Sequence, residues 1–239
     1  MKKHIPNFVT CLNLFSGCMG IVFAFQGNLI WASYAIVIAA IFDFFDGMLA
    51  RLLNAYSEIG KELDSLADMV SFGVLPAVIV YHLFAISPQP EFGGTWLSFS
   101  AFIITVFSAL RLAKFNLDTR QSENFIGLPT PANALLIASF PLIIAENNPF
   151  FADFILNQWF LMIFSLSMSL LLIAEVPLIS LKFKSLKFKD NLLRYILIFS
   201  SILLLWFLKF EAVPIIIIIY FLISLIQFRS SGKNLSQKY

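Results

Sequence analysis

Apolar residues run through this chain in blocks long enough to cross a bilayer, separated by short polar interruptions, and that rhythm predicts helices spanning a membrane. Such blocks fall at about 9–25, 29–50, 63–85 and 96–113, then at about 131–145, 154–173, 192–208 and 212–228. Eight transmembrane helices are therefore expected, the fifth of them short. Composition strengthens the reading: 59% of the 239 residues are hydrophobic and 13% charged, with a mean hydropathy of +0.87, whereas a soluble domain carries about one quarter charged residues. The expected fold class is an all-α, polytopic integral membrane bundle. No repeat, long linker or soluble domain interrupts it, so 1–239 reads as one membrane domain, with the chemistry before about residue 135 and a nearly featureless transmembrane hairpin at 192–228.

Positive charge orients the bundle. Cytoplasmic flanks and short loops collect Lys and Arg. With eight spans, Lys2, Lys3, Arg51, Lys61, Arg111, Lys114, Arg120, Lys182, Lys184, Lys187, Lys189, Arg194, Arg229, Lys233 and Lys238 fall on one side, and Lys209 alone on the other. Both termini and the turn from Arg51 to Lys61 are then expected to face the cytoplasm. The opening Lys2-Lys3 and the apolar stretch after it imitate a secretory signal. Asn7, Thr10, Asn13 and Ser16 interrupt that stretch, so a retained first helix is expected. Basic and aromatic residues interleave in Leu181–Asn191, a pattern that can bind nucleic acid. Between two membrane helices it reads instead as a solvated inside-positive loop or a contact with anionic headgroups. Cys11 and Cys18 read as packing residues, and His4 and His82 are isolated.

Four aspartates change the picture. Asp43, Asp46, Asp64 and Asp68 lie in or beside membrane-compatible stretches, where an uncompensated carboxylate costs several kcal/mol and is functional by default. Helical spacing puts Asp43, Asp46, Gly47 and Ala50 on one face, and Gly60, Asp64 and Asp68 on another. Two such faces in contact would gather four carboxylates around one space, and an all-oxygen donor set suits magnesium or manganese. Arg51 and Lys61 flank it, a combination suited to a phosphate or pyrophosphate. The small residues Gly47, Ala50 and Gly60 admit either a ligand or a neighbouring helix.

The string Asp43, Asp46, Gly47, Ala50, Arg51, Gly60, Asp64, Asp68 resembles, in every position and spacing, the signature of the CDP-alcohol phosphatidyltransferases. The resemblance implies a helical membrane enzyme that moves a phosphatidyl group from a CDP-linked lipid to an alcohol and releases CMP. It also implies two divalent ions, Mg2+ or Mn2+, held by Asp43, Asp46 and Asp64, with Asp68 a shared ligand or the catalytic base. Gly47, Ala50 and Gly60 would line the nucleotide pocket and Arg51 would meet the pyrophosphate. Asn7 and Thr10 would touch the nucleotide, although helix packing explains them nearly as well.

Three further segments, Ser71–Ala77, Arg111–Asn116 and Gly127–Ala132, together with the opening Ile5–Thr10, resemble the serine-accepting branch of that family. The resemblance covers about 5–135, which is the expected catalytic part. It implies CDP-diacylglycerol and L-serine as substrates. Ser71, seven residues beyond Asp64, is expected on the same helical face and near the acceptor. Arg111 and Lys114 are cations suited to the serine carboxylate, though inside-positive bias would also place them there. A phosphatidylglycerophosphate synthase needs similar cations and is the nearest alternative, while a cation transporter is the alternative from another class. The expected partners are substrates and the lipid bilayer, with a homodimer the candidate assembly and no nucleic acid.

Overall fold

In the computed structural model, the described residues are 4–88, 94–117, 125–146, 148–178 and 188–236. Lys2, Lys3, Arg120, Lys238 and the basic stretch 181–187 lie outside them. The described residues are predominantly helical, and five of their helices are long and apolar enough to cross a membrane, or six if one bent pair is a single span. The difference from the expected eight has two sources. Helix α6 (Thr130–Ala145) has only 16 residues, and the run 191–224 counts as one stretch although a 3₁₀ turn at Lys209–Glu211 interrupts it.

Helices α1 (His4–Phe25) and α2 (Leu29–Leu52) form a hairpin. Gly27 turns the chain with φ +76°, a left-handed conformation that costs glycine little. The Asn28 side chain then caps α2 by accepting from the Trp31 backbone N–H at 3.4 Å. Small residues let the two backbones approach. A Cβ added to Gly20 would lie 2.8 Å from that of Ala35, and the Ser16 hydroxyl donates to the Ala35 carbonyl at 3.0 Å.

Beyond Leu52, Asn54 takes φ +48°, and Ser57 caps α3 (Glu58–Asp68) by accepting from the Gly60 N–H at 3.0 Å. One span, Glu58–Ile86, then runs through α3, a π-turn at Met69–Val74 and α4 (Leu75–Ile86). In the π-turn the Leu75 N–H reaches back to the Val70 carbonyl, one residue further than an α-helix allows. The turn begins immediately after Asp68. Its irregular backbone is supported from α5 (Phe102–Leu117), whose Thr105 hydroxyl donates to the Gly73 carbonyl at 3.1 Å.

The core sits around α4 and α6, where Leu75, Ile79, Leu83, Ala134 and Ile137 are wholly buried. Helix α6 packs against α2, α4 and the π-turn. Helices α7 (Pro149–Ile155) and α8 (Gln158–Ile173) meet at a 63° bend. Two short strands, β1 (Phe125–Ile126) and β2 (Pro177–Leu178), pair antiparallel beside α6. Helices α9 (Phe188–Leu208) and α10 (Ala212–Ser236) pack on each other at the periphery. Phe199, Ile202, Trp206 and Phe207 face outward there, as lipid-facing side chains would.

Candidate active site

Helices α2 and α3 bring the aspartates together as their face patterns require. Carboxylate oxygens of Asp43, Asp64 and Asp68 all lie within 4.8 Å of one another. Asp46 is outside that trio. It lies buried on the same face of α2, beside the Thr10 hydroxyl, which donates to the Pro6 carbonyl at 3.1 Å. Buried oxygens Oδ2 of Asp46 and Oδ1 of Asp64 have no hydrogen-bond partner. Like charges this close repel strongly at low dielectric, and orphaned carboxylate oxygens leave that repulsion uncompensated by the protein. A hard divalent cation supplies the missing charge, so the donor set fits one.

A cleft of about 430 Å³ opens beside the trio, and Asp64 belongs to both. Its walls include Asn7 and Thr10 of α1, Asp46, Gly47, Ala50 and Arg51 of α2, and Gly60 and Lys61 of α3. Every residue expected at the nucleotide is therefore on one surface. The two glycines differ. A Cβ at Gly47 would meet nothing within 4 Å, so this glycine faces open cleft, whereas one at Gly60 would lie 2.9 Å from both the Asn7 and the Ser57 side-chain oxygens. Helix packing thus explains Gly60, and space for a ligand explains Gly47. Arg51 is exposed at the rim. Lys61, also exposed, donates to the Asn116 carbonyl at 3.0 Å and ties α3 to the end of α5.

Ser71 departs from expectation. Its hydroxyl is fully buried and donates to the Asn13 carbonyl at 3.0 Å, and it is absent from the cleft wall. The π-turn is the reason: each residue there advances the helix by a smaller angle than in an α-helix, so Ser71 rotates off the face of Asp64 and onto α1. Gly17 makes room for it, since a Cβ on Gly17 would lie 2.9 Å from the Ser71 Cα.

Asn13 escaped the sequence reading. It is completely buried and donates from Nδ2 to Asp68 Oδ1 at 3.3 Å. Its only sequence signal was polarity within an apolar helix, three residues after Thr10.

Arg111 is buried on α5, donates to the Thr130 hydroxyl at 3.2 Å, and sits over the Phe115 ring at 5.7 Å. Helix α10 packs against α6, which carries Thr130, so the C-terminal hairpin, expected to be featureless, reaches the helix that partners Arg111. Lys114 is exposed on the last turn of α5.

Comparison with known proteins agrees with this architecture. Residues 3–171 match the family model described as CDP-alcohol phosphatidyltransferase. A CDP-diacylglycerol-serine O-phosphatidyltransferase of Helicobacter pylori is 32% identical over 224 residues, covering 93% of this chain and 90% of that one. Proteins of the same name from Bacillus subtilis and Saccharomyces cerevisiae are 37% and 38% identical, covering 60% and 62% of this chain and 81% and 58% of their own. With the aspartates of its signature gathered on two membrane helices and more than half its length matched, the chain belongs to the CDP-alcohol phosphatidyltransferase family.

Proposed function

We infer that this chain transfers the phosphatidyl group of CDP-diacylglycerol to the hydroxyl of L-serine, giving phosphatidylserine and CMP. The observation that carries the reading is the carboxylate trio beside a cleft rimmed by Arg51 and Lys61, in a chain whose relatives bear the serine enzyme's name along nearly its full length. The reaction needs a divalent metal, and two ions, Mg2+ or Mn2+, would be held by Asp43, Asp46, Asp64 and Asp68. Such ions, when bound, neutralise phosphate oxygens as a phosphoryl bond breaks.

The chain's own residues do the rest. Gly47 and Ala50 admit the nucleotide to the cleft, Asn7, Thr10 and Gly60 border it, and Arg51 meets the pyrophosphate. Asp68 takes the proton from the serine hydroxyl as that oxygen attacks phosphorus and the bond to CMP opens. Asn13 holds the Asp68 carboxylate in place for this step. Arg111, a fixed donor with no acceptor capacity, pairs with the serine carboxylate. Lys114 adds positive charge near the end of the same helix. Ser71 joins α1 to the π-turn and has no part in acceptor binding.

Residues 5–135 form the catalytic part within one membrane domain, with 192–228 a peripheral hairpin. The cleft mouth and both termini face the cytoplasm, and a homodimer is the assembly expected. The test is incubation of purified protein in detergent with CDP-diacylglycerol, a divalent metal and each candidate alcohol, following CMP and lipid product. Phosphatidylserine is the expected product; phosphatidylglycerophosphate in its place would reassign the acceptor.

A further inference from the structure

A second set of buried polar atoms lies apart from the aspartates. Asn133 on α6 is 0% exposed, and both ends of its amide, Nδ2 and Oδ1, have no hydrogen-bond partner. Serine hydroxyls left unpaired in helices, such as Ser33 and Ser108 here, can turn onto a carbonyl of the preceding turn. The amide of Asn133 can turn only its Nδ2 donor in that way; its Oδ1 needs a donor, which a helix interior does not offer, and burying it unpaired costs free energy that an apolar side chain would avoid. Asn133 stands one helical turn beyond Thr130, so the two share a face of α6. Thr130 accepts from Arg111 at 3.2 Å, and Arg111 in turn has a buried, unpartnered Nε. Helices α5 and α6 both pack against the π-turn that begins immediately after Asp68.

We propose that Asn133 is a specificity-determining residue that accepts a hydrogen bond from the ammonium group of the amino-acid acceptor, completing a subsite with Arg111, Thr130 and Asp68. The assignment rests on L-serine as the acceptor. Three complementary functions then coincide: a donor-only guanidinium for the carboxylate, an amide oxygen for the ammonium, and a carboxylate for the hydroxyl proton. A polyol phosphate has no ammonium and would leave the amide unpaired, so the subsite rejects it.

The experiment uses the full chain in detergent with CDP-diacylglycerol and a divalent metal. Asn133→Leu, which keeps the branching at Cγ but removes both polar atoms, should raise the KM for L-serine about tenfold or more and leave that for CDP-diacylglycerol within about twofold. L-Alanine, which keeps the ammonium but cannot react, should lose a similar factor as a competitive inhibitor. Propionate, which lacks the ammonium, should inhibit as it does the wild type. Asn133→Asp retains the acceptor oxygen and should preserve the preference for L-alanine over propionate; this variant decides the matter if Asn133→Leu does not fold. An unchanged KM for L-serine in Asn133→Leu, equal weakening of both inhibitors, or loss of the ammonium preference in Asn133→Asp overturns the assignment. Wild-type protein that makes no phosphatidylserine at all overturns the functional reading beneath it, a separate outcome.

Discussion

Replacing Gly17 by Ala tests whether close contact between α1 and the π-turn positions the Asp68 carboxylate, the base proposed above. The new Cβ would overlap the Ser71 hydroxyl and lie 2.9 Å from the Ser71 Cα. Ordinary carbon contacts are about 3.5–4.0 Å, so the two backbones must part by roughly 0.6–1 Å. The Asn13–Asp68 bond, already 3.3 Å, would then stretch to about 4 Å, beyond hydrogen-bonding distance. Overpacking of this kind costs about 1–3 kcal/mol of stability. A lost hydrogen bond to a charged group is worth about 1.5–3 kcal/mol, which, charged to the transition state, slows turnover roughly ten- to hundredfold. Thermal unfolding of the detergent-solubilised variant and CMP release at saturating substrates give the two numbers. Adding Ser71→Ala removes the hydroxyl overlap but leaves the Cα conflict, so recovery should be partial. Wild-type stability and turnover in Gly17→Ala would refute the reasoning, because the helices would have moved apart without consequence.

Chelation should abolish activity and added Mg2+ or Mn2+ restore it, since Asp43, Asp64 and Asp68 cannot all remain ionised within 4.8 Å without a cation; full turnover by protein shown metal-free by elemental analysis would remove that mechanism. Asp64→Asn should weaken metal binding together with catalysis, whereas Asp68→Asn should lower kcat far more than affinity for CDP-diacylglycerol; an equal collapse of binding in both would leave Asp68 a metal ligand only and remove its role as base. Gly47→Leu should fold normally, because space lies open above Gly47, yet raise the KM for CDP-diacylglycerol about tenfold or more by filling the cleft; a KM near that of the wild type would show that the nucleotide lies elsewhere. Arg111→Ala should raise the KM for L-serine well above any change for CDP-diacylglycerol, although loss of a buried side chain that also stacks on Phe115 will lower stability too.

Much of this protein follows from local rules. A bilayer offers backbone groups no partners, so long apolar blocks must become helices, and the blocks at 9–25 and 29–50 correspond to α1 and α2. Helical periodicity fixes which side chains share a face, and so places Asp43 with Gly47 and Asp64 with Asp68. Periodicity fails where the helix does. Nothing in Met69–Val74 announces a π-turn, and one extra residue in the turn leaves Ser71 off the cleft wall and against Gly17. Contacts between distant helices were equally invisible: Asn13 reaches Asp68 across 55 residues, and α10 packs on α6 from a hairpin that composition alone marks as plain hydrocarbon. The same residue type, glycine, serves space at position 47 and close packing at position 60. Sequence determines which groups each helix can present, because that depends on spacing along one chain; which groups meet depends on how whole helices pack, and only the tertiary structure decides it.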